Sequence, residues 1–202
     1  MIVVEELLSV PQSQLSVRVP DVDPLRDEDA MQEGQLIDFR VSALGSVAAL
    51  LCDLRTSLQL DEGNASLLIV RGLYDLRWRE VRTLSPLTAF TVVGSRTLVS
   101  GAGLIGVEID FFPDASLVVR GIEAEFYVMD IPNIGEVPPD YSEASFEEIK
   151  DSLPAWTSAC LLLQASQRTG TLSLKQSLLR GEMESEYGAG SRVSKPWRKG
   201  KR

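Results

Sequence analysis

Histidine is absent from this chain of 202 residues. That removes the commonest general base and the commonest transition-metal ligand. A Ser-His-Asp triad, a Cys-His dyad and an ordinary zinc site are excluded, leaving carboxylate, lysine, arginine and tyrosine chemistry open. Cysteine is scarce: Cys52 and Cys160 each sit inside an apolar run. They read as two buried free thiols rather than a disulfide, as a reducing compartment favours. No apolar run approaches the ~20 residues of a membrane-spanning helix. Met1-Ile2-Val3-Val4-Glu5-Glu6 carries acid where a secretory leader carries base. The expectation is a cytoplasmic protein with no membrane segment.

Positive charge is also in short supply, with 20 Lys and Arg against 29 Asp and Glu for a net charge of −9. Six of the bases fall in the last eleven residues, Arg192 to Arg202, which hold no acid; the remaining 14 bases and 29 acids leave the body near −15. Such a field repels nucleic acid and attracts basic partners.

What is present is β patterning. Apolar residues make up 44% of the chain, enough to bury a core. Three runs read as neighbouring strands: Leu36 to Val41, Val47 to Leu54, and Ser66 to Trp78 with a break at Arg71-Gly72. Val47 to Leu54 is nearly continuous apolar, so a helix through Ala48-Ala49-Leu50-Leu51 competes. Further strands are expected at Leu15 to Val19, Phe90 to Val93, Thr97 to Val99, Leu104 to Phe112, Leu117 to Val119 and Glu125 to Met129, with Gly94-Ser95 as a turn. Val3 to Val10 fits a short helix or an edge strand. Asp23-Pro24 resembles an N-cap followed by proline, predicting two helical turns over Leu25 to Met31. Ser145-Phe146-Glu147-Glu148 is a capping-box pattern opening a helix to about Leu153. The fold expected is mainly β, with β-sandwich-like antiparallel sheets and two or three short peripheral helices. Residues 1–170 form one domain in this reading, and 171–202 a basic extension, disordered from about 188.

One echo stands out. Leu68-Ile69-Val70-Arg71-Gly72-Leu73 matches Leu117-Val118-Val119-Arg120-Gly121-Ile122. An aromatic strand follows each Arg-Gly pair, which suggests two similar β units bent at glycine.

Candidate sites are few. Gly101-Ala102-Gly103-Leu104-Ile105-Gly106 fits G-x-G-x-x-G in letters, but strand-like residues follow it where a dinucleotide site needs a helix. Asn64-Ala65-Ser66 is a glycosylation sequon only in letters. Two acidic clusters remain: Asp21, Asp23, Asp27, Glu28 and Asp29, with Glu33 nearby, and Glu136, Asp140, Glu143, Glu147 and Glu148, with Asp151. Their spacing matches no EF-hand loop. They read either as solvated faces or as a docking surface for a basic protein. Arg55, Arg71, Arg77, Arg79 and Arg82 gather near the central strands and offer an anion pocket as the sharper alternative. No metal and no cofactor is expected.

Leu36-Ile37-Asp38-Phe39-Arg40-Val41, the apolar strand after it and Leu67 to Gly72 resemble a pattern in small β-rich bacterial proteins, among them immunity proteins of polymorphic toxin systems. There Leu-x-Asp opens a strand and a later apolar run ends in glycine; the histidine usual before that aspartate is Ile37 here. The resemblance spans about Leu36 to Glu80, with the echo at Leu117 to Met129. It implies a non-enzymatic binding protein and transfers no catalytic residue. The leading expectation is therefore an immunity-type inhibitor that binds a basic toxin through acidic side chains. Two others stand beside it. One is a small-ligand protein or enzyme with a cleft lined by Arg77, Arg79, Glu108 and Asp110. The other is an assembly subunit whose sheet edge pairs with another copy.

Overall fold

A computed structural model describes residues 1–9, 17–80, 88–100 and 103–170. The expected basic extension, Arg82 and the first two residues of the expected strand at Leu15 to Val19 lie outside the described residues; of the rest of that strand, Arg18 forms an isolated parallel bridge to Gln164. Among the described residues the chain is mainly β: ten antiparallel strands in one sheet and one α-helix, α1, Phe146–Asp151. The strands are β1 (Ile2–Val3), β2 (Gln35–Ser42), β3 (Val47–Asp53), β4 (Ala65–Arg71), β5 (Asp75–Glu80), β6 (Phe90–Val99), β7 (Ile105–Phe112), β8 (Ala115–Gly121), β9 (Glu123–Asp130) and β10 (Ala159–Thr169). Their order across the sheet is β1-β10-β9-β4-β3-β2-β6-β7-β8-β5.

The apolar patterns say which strands are covered on both faces. In β3, Ala48, Leu50 and Cys52 enter one buried cluster, while Ala49 and Leu51 enter another. The strand is buried on both sides, which is why its sequence is continuously apolar and why it is a strand rather than the competing helix. β7 instead alternates: Ile105, Val107, Ile109 and Phe111 are buried and Asp110 is exposed. The first cluster joins β3, β4 and β9 to β7 and β8, so the sheet bends back on itself. Trp78 of β5 and Phe39 of β2, far apart in strand order, have ring centroids 5.6 Å apart. The second cluster lies on the opposite face of β3, β4 and β9. Val4 and Leu7, from a 3-10 helix at Val4–Leu8, and Ile131, Ile134 and Trp156, from the segment after β9, cover it.

The helix expected over Leu25 to Met31 does not form; the segment is a series of turns. Asp23 does cap it, accepting the Leu25 N–H at 3.0 Å. The amide of Asp29 then donates to the Ser95 carbonyl and that of Glu33 to the Val92 carbonyl, both on β6. Asp29 and Glu33 have φ of 57° and 63°. Sheet carbonyls thus take donors that a helix needs for itself. Gly94-Ser95 is no turn either: β6 runs through it with a bulge between Val92 and Gly94, the other meaning of a strand glycine.

The echo turns out to be the crossing point of the fold. β4 pairs with β9 and β8 pairs with β5, so the first strand of each unit pairs with the second strand of the other. Around the two Arg-Gly corners the Arg71 carbonyl accepts the Ile122 N–H at 2.9 Å, and the Arg120 carbonyl accepts the Tyr74 N–H at 2.8 Å. The exchange is one residue out of strict correspondence: Arg71 pairs with Glu123, but Arg120 with Asp75 rather than Tyr74. A Cβ on Gly121 would lie 2.5 Å from the Arg71 carbonyl oxygen and 2.6 Å from a Val70 methyl. Gly121→Ala is therefore expected to cost about 2–4 kcal/mol. Gly94→Ala, whose nearest contact would be 3.6 Å away, should cost less than about 1 kcal/mol. Urea unfolding midpoints of the two variants check this.

Candidate functional site

The acidic residues proposed from sequence divide by role. Asp23 is buried, 3% exposed. It accepts the Ser166 hydroxyl at 2.6 Å and faces Arg26, so it ties the 21–34 segment to β10. Asp27 accepts the Asp23 N–H at 2.8 Å, and Asp29 accepts the Ser95 N–H at 3.0 Å. Asp140 accepts the Ser142 hydroxyl at 2.6 Å, and Glu148 closes the predicted capping box, accepting the Ser145 hydroxyl at 2.7 Å. Those hydroxyl bonds hold both carboxyls below the usual carboxylate range. The carboxylates of Asp21, Glu28, Glu136, Glu143 and Glu147 are exposed and make no hydrogen bond among the described residues. The two clusters sit on different supports, the first on β6 and β10, the second on a strap of residues 131–158.

That strap is held by Arg55. Its side chain is 2% exposed and meets Asp53, itself 1% exposed, at 2.5 Å. Nε bonds the same carboxylate at 3.0 Å; the remaining guanidinium donors reach the carbonyls of Ile134 at 2.5 Å, Val137 at 2.8 Å and Ser152 at 2.9 Å. Arg71 does the same for the N-terminus. It pairs with buried Glu125 at 2.8 Å and donates to the Leu8 carbonyl at 2.8 Å. Glu125 also accepts the Tyr127 hydroxyl at 3.1 Å, and burial followed by the Glu125 charge pushes that phenol up. The strap is pinned once more at Trp156, whose indole N–H donates to Asp38 at 2.6 Å while Arg40 stacks 4.5 Å above its ring. These arginines are fully engaged with protein groups, which removes the anion pocket at Arg55 and Arg71.

Arg77, Arg79, Glu108 and Asp110 do not line one cleft: Glu108 and Asp110 border an open hollow with Glu28, Asp29 and Arg96, and Arg77 and Arg79 are not part of its lining. Arg77 is 64% exposed beside Asp75, and Arg96 reaches across from β6 to hold Glu108 at 2.7 Å. All four side chains stand on the outward face of the β6-β7-β8-β5 half of the sheet. Glycine motif and sequon are structural too. Of the G-x-G-x-x-G run, the described residues 103–106 lead into strand β7 and end inside it, with no helix after them. Asn64 donates to and accepts from the backbone of Ile131, each at 2.8 Å. Among the described residues no group of three or more acidic or cysteine side chains is placed to hold a metal ion.

The sequence reading missed a cavity of about 210 Å³ under α1. Leu36, Ile37, Ala89, Phe146, Ile149 and Leu153 supply its apolar wall, with Tyr141 and Lys150 beside them. β2 pairs with β6 only at Gln35 and Leu36, so the cavity opens where the two strands part. The legible signal was the spacing of Phe146 and Ile149, which puts them on one face of α1, with Leu153 just past its end.

No protein-family model, curated protein or solved structure matches this chain.

Two outcomes follow from the buried groups. Arg55→Met leaves Asp53 without its cation and should cost about 3–5 kcal/mol, whereas Asp53→Leu combined with Arg55→Met should cost less, as denaturant melts of both variants can show. Burial pushes the Cys52 thiol up from 9.0 to about 12 and the Cys160 thiol up from 9.0 to about 11. Both thiols are free and buried, so above pH 9 the unfolded chain ionises them first and unfolding releases protons. Stability should be intact below pH 9 and fall as pH rises toward 12. Urea midpoints against pH should decline less steeply in Cys52→Ala/Cys160→Ala.

Proposed function

We propose that this chain is a non-enzymatic protein-binding module of the immunity-protein kind, which docks a basic partner through exposed carboxylates. The observation that carries the reading is the strap: a buried Arg55–Asp53 pair fixes its backbone, while Glu136, Glu143 and Glu147 point no hydrogen bond inward. Carboxylates presented on a fixed support steer a cationic partner without a large ordering cost on binding. Absence of histidine and the outward, solvent-facing placement of Arg77, Arg79, Glu108 and Asp110 both favour a binding reading over a catalytic one.

The same reading treats the two halves of the bent sheet as layers of a sandwich-like body. The apolar cluster shared by β3, β4 and β9 with β7 and β8 supports it. A cytoplasmic, bacterial setting belongs to the proposal as well, supported by the two free thiols.

Affinity capture on the purified chain, with and without Glu136→Lys/Glu143→Lys/Glu147→Lys, tests this. The expected result is a basic protein whose association slows about tenfold between low and high salt, and whose capture is lost on charge reversal. Binding partners indifferent to both salt and charge reversal would refute it.

A further inference from the structure

The cavity under α1 sits inside the more exposed acidic cluster. At about 210 Å³ it is larger than the ~150 Å³ void that takes one benzene. It is smaller than the ~300 Å³ at which ordinary small-molecule sites begin. One aromatic side chain fits that interval. The walls are apolar apart from Tyr141, Lys150 and Thr88. The Tyr141 hydroxyl is already committed, donating to Gln35 at 2.9 Å.

Charge decides what carries the aromatic group. Lys150 is the only lysine among the described residues, and it forms no salt bridge there. By itself it would invite an anion. Against it stand the carboxylates that flank the lining residues in the chain: Asp140 and Glu143 beside Tyr141, and Glu147, Glu148 and Asp151 around Phe146 to Lys150. Glu147 and Asp151 directly follow the lining residues Phe146 and Lys150 on the helix. An anionic ligand meets net repulsion at this mouth and a cationic one net attraction. Phe146, 60% exposed at the rim, adds an aromatic face on which a guanidinium or a second ring can stack. An apolar pocket ringed by charge is also the arrangement in which a single buried aromatic residue dominates binding.

We infer that this cavity seats one aromatic side chain of the partner protein, carried on a basic segment whose cations meet Glu143, Glu147 and Asp151. The inference rests on the protein-binding reading above and gives that surface its anchor point.

The probe is a capped, fluorescently labelled heptapeptide, Lys-Arg-Lys-Trp-Lys-Arg-Lys, followed by anisotropy. It is titrated at low salt into the full chain carrying Trp197→Ala, because the basic C-terminal residues hold an aromatic of their own. Binding should weaken at least tenfold when Ala89→Leu fills the cavity. The same loss should follow when glycine replaces the peptide's tryptophan, an arm that leaves the protein untouched. Glu147→Lys/Asp151→Lys should abolish binding. If only the charge reversal matters, the cavity inference falls and docking through carboxylates stands. If the chain binds no form of the peptide, both readings fall.

Discussion

One buried ion pair holds the outer surface of this protein to its core. Asp53 ends β3, and Arg55 follows it by two residues, so the chain itself delivers both partners to the same corner of the sheet. Isolated, either charge would be very costly there. Together they leave guanidinium N–H groups free to collect three carbonyls from residues 134, 137 and 152. A strap with little regular structure thereby acquires a definite path over β3, β4 and β9. Its apolar residues Ile131, Ile134 and Trp156 close the second cluster, and its acids face out. Arg71 and Glu125 repeat the device at the N-terminal 3-10 helix. Two forks, each charge-balanced, thus do for irregular segments what ladder hydrogen bonds do for strands.

The strands were legible because burial leaves a period behind. β7 and β8 show the alternation of a half-buried strand, and β3 and β4 the unbroken apolar run of one covered on both faces. Helix α1 was legible because its capping box is local. Local signals failed where distant groups compete. Nothing in the Asp23 to Gly34 segment reveals that β6 carbonyls will take the amides of Asp29 and Glu33. Nothing near Gly94 distinguishes a bulge from a turn until β7 is set opposite it.

The candidate site was legible only as composition. Both acidic clusters are visible in the chain, yet a carboxylate that caps, such as Asp23 or Glu148, looks the same in letters as one that is free, such as Glu143. The division comes from tertiary partners: Ser166 for Asp23, Ser95 for Asp29. Arg55 was noticed among the clustered arginines. What it pairs with lies partly two residues away and partly some eighty or more residues on, and only the nearer partner can be guessed.

The exchanged pairing at the two Arg-Gly corners has a consequence for how the chain reaches this state. β4 pairs with β3 on one edge but waits for β9 on the other, and β5 waits for β8, so each early strand keeps an edge that is satisfied only by a strand roughly 35 to 64 residues later. On a ribosome, the β5 ladder cannot be completed until about residue 120 has emerged and the β4 ladder until about residue 130, and until then those strand edges stand open to any neighbouring polypeptide. Closing such distant pairs is entropically slow, which makes this a late-assembling scaffold whose vulnerable interval is set by topology rather than by the strength of its finished core.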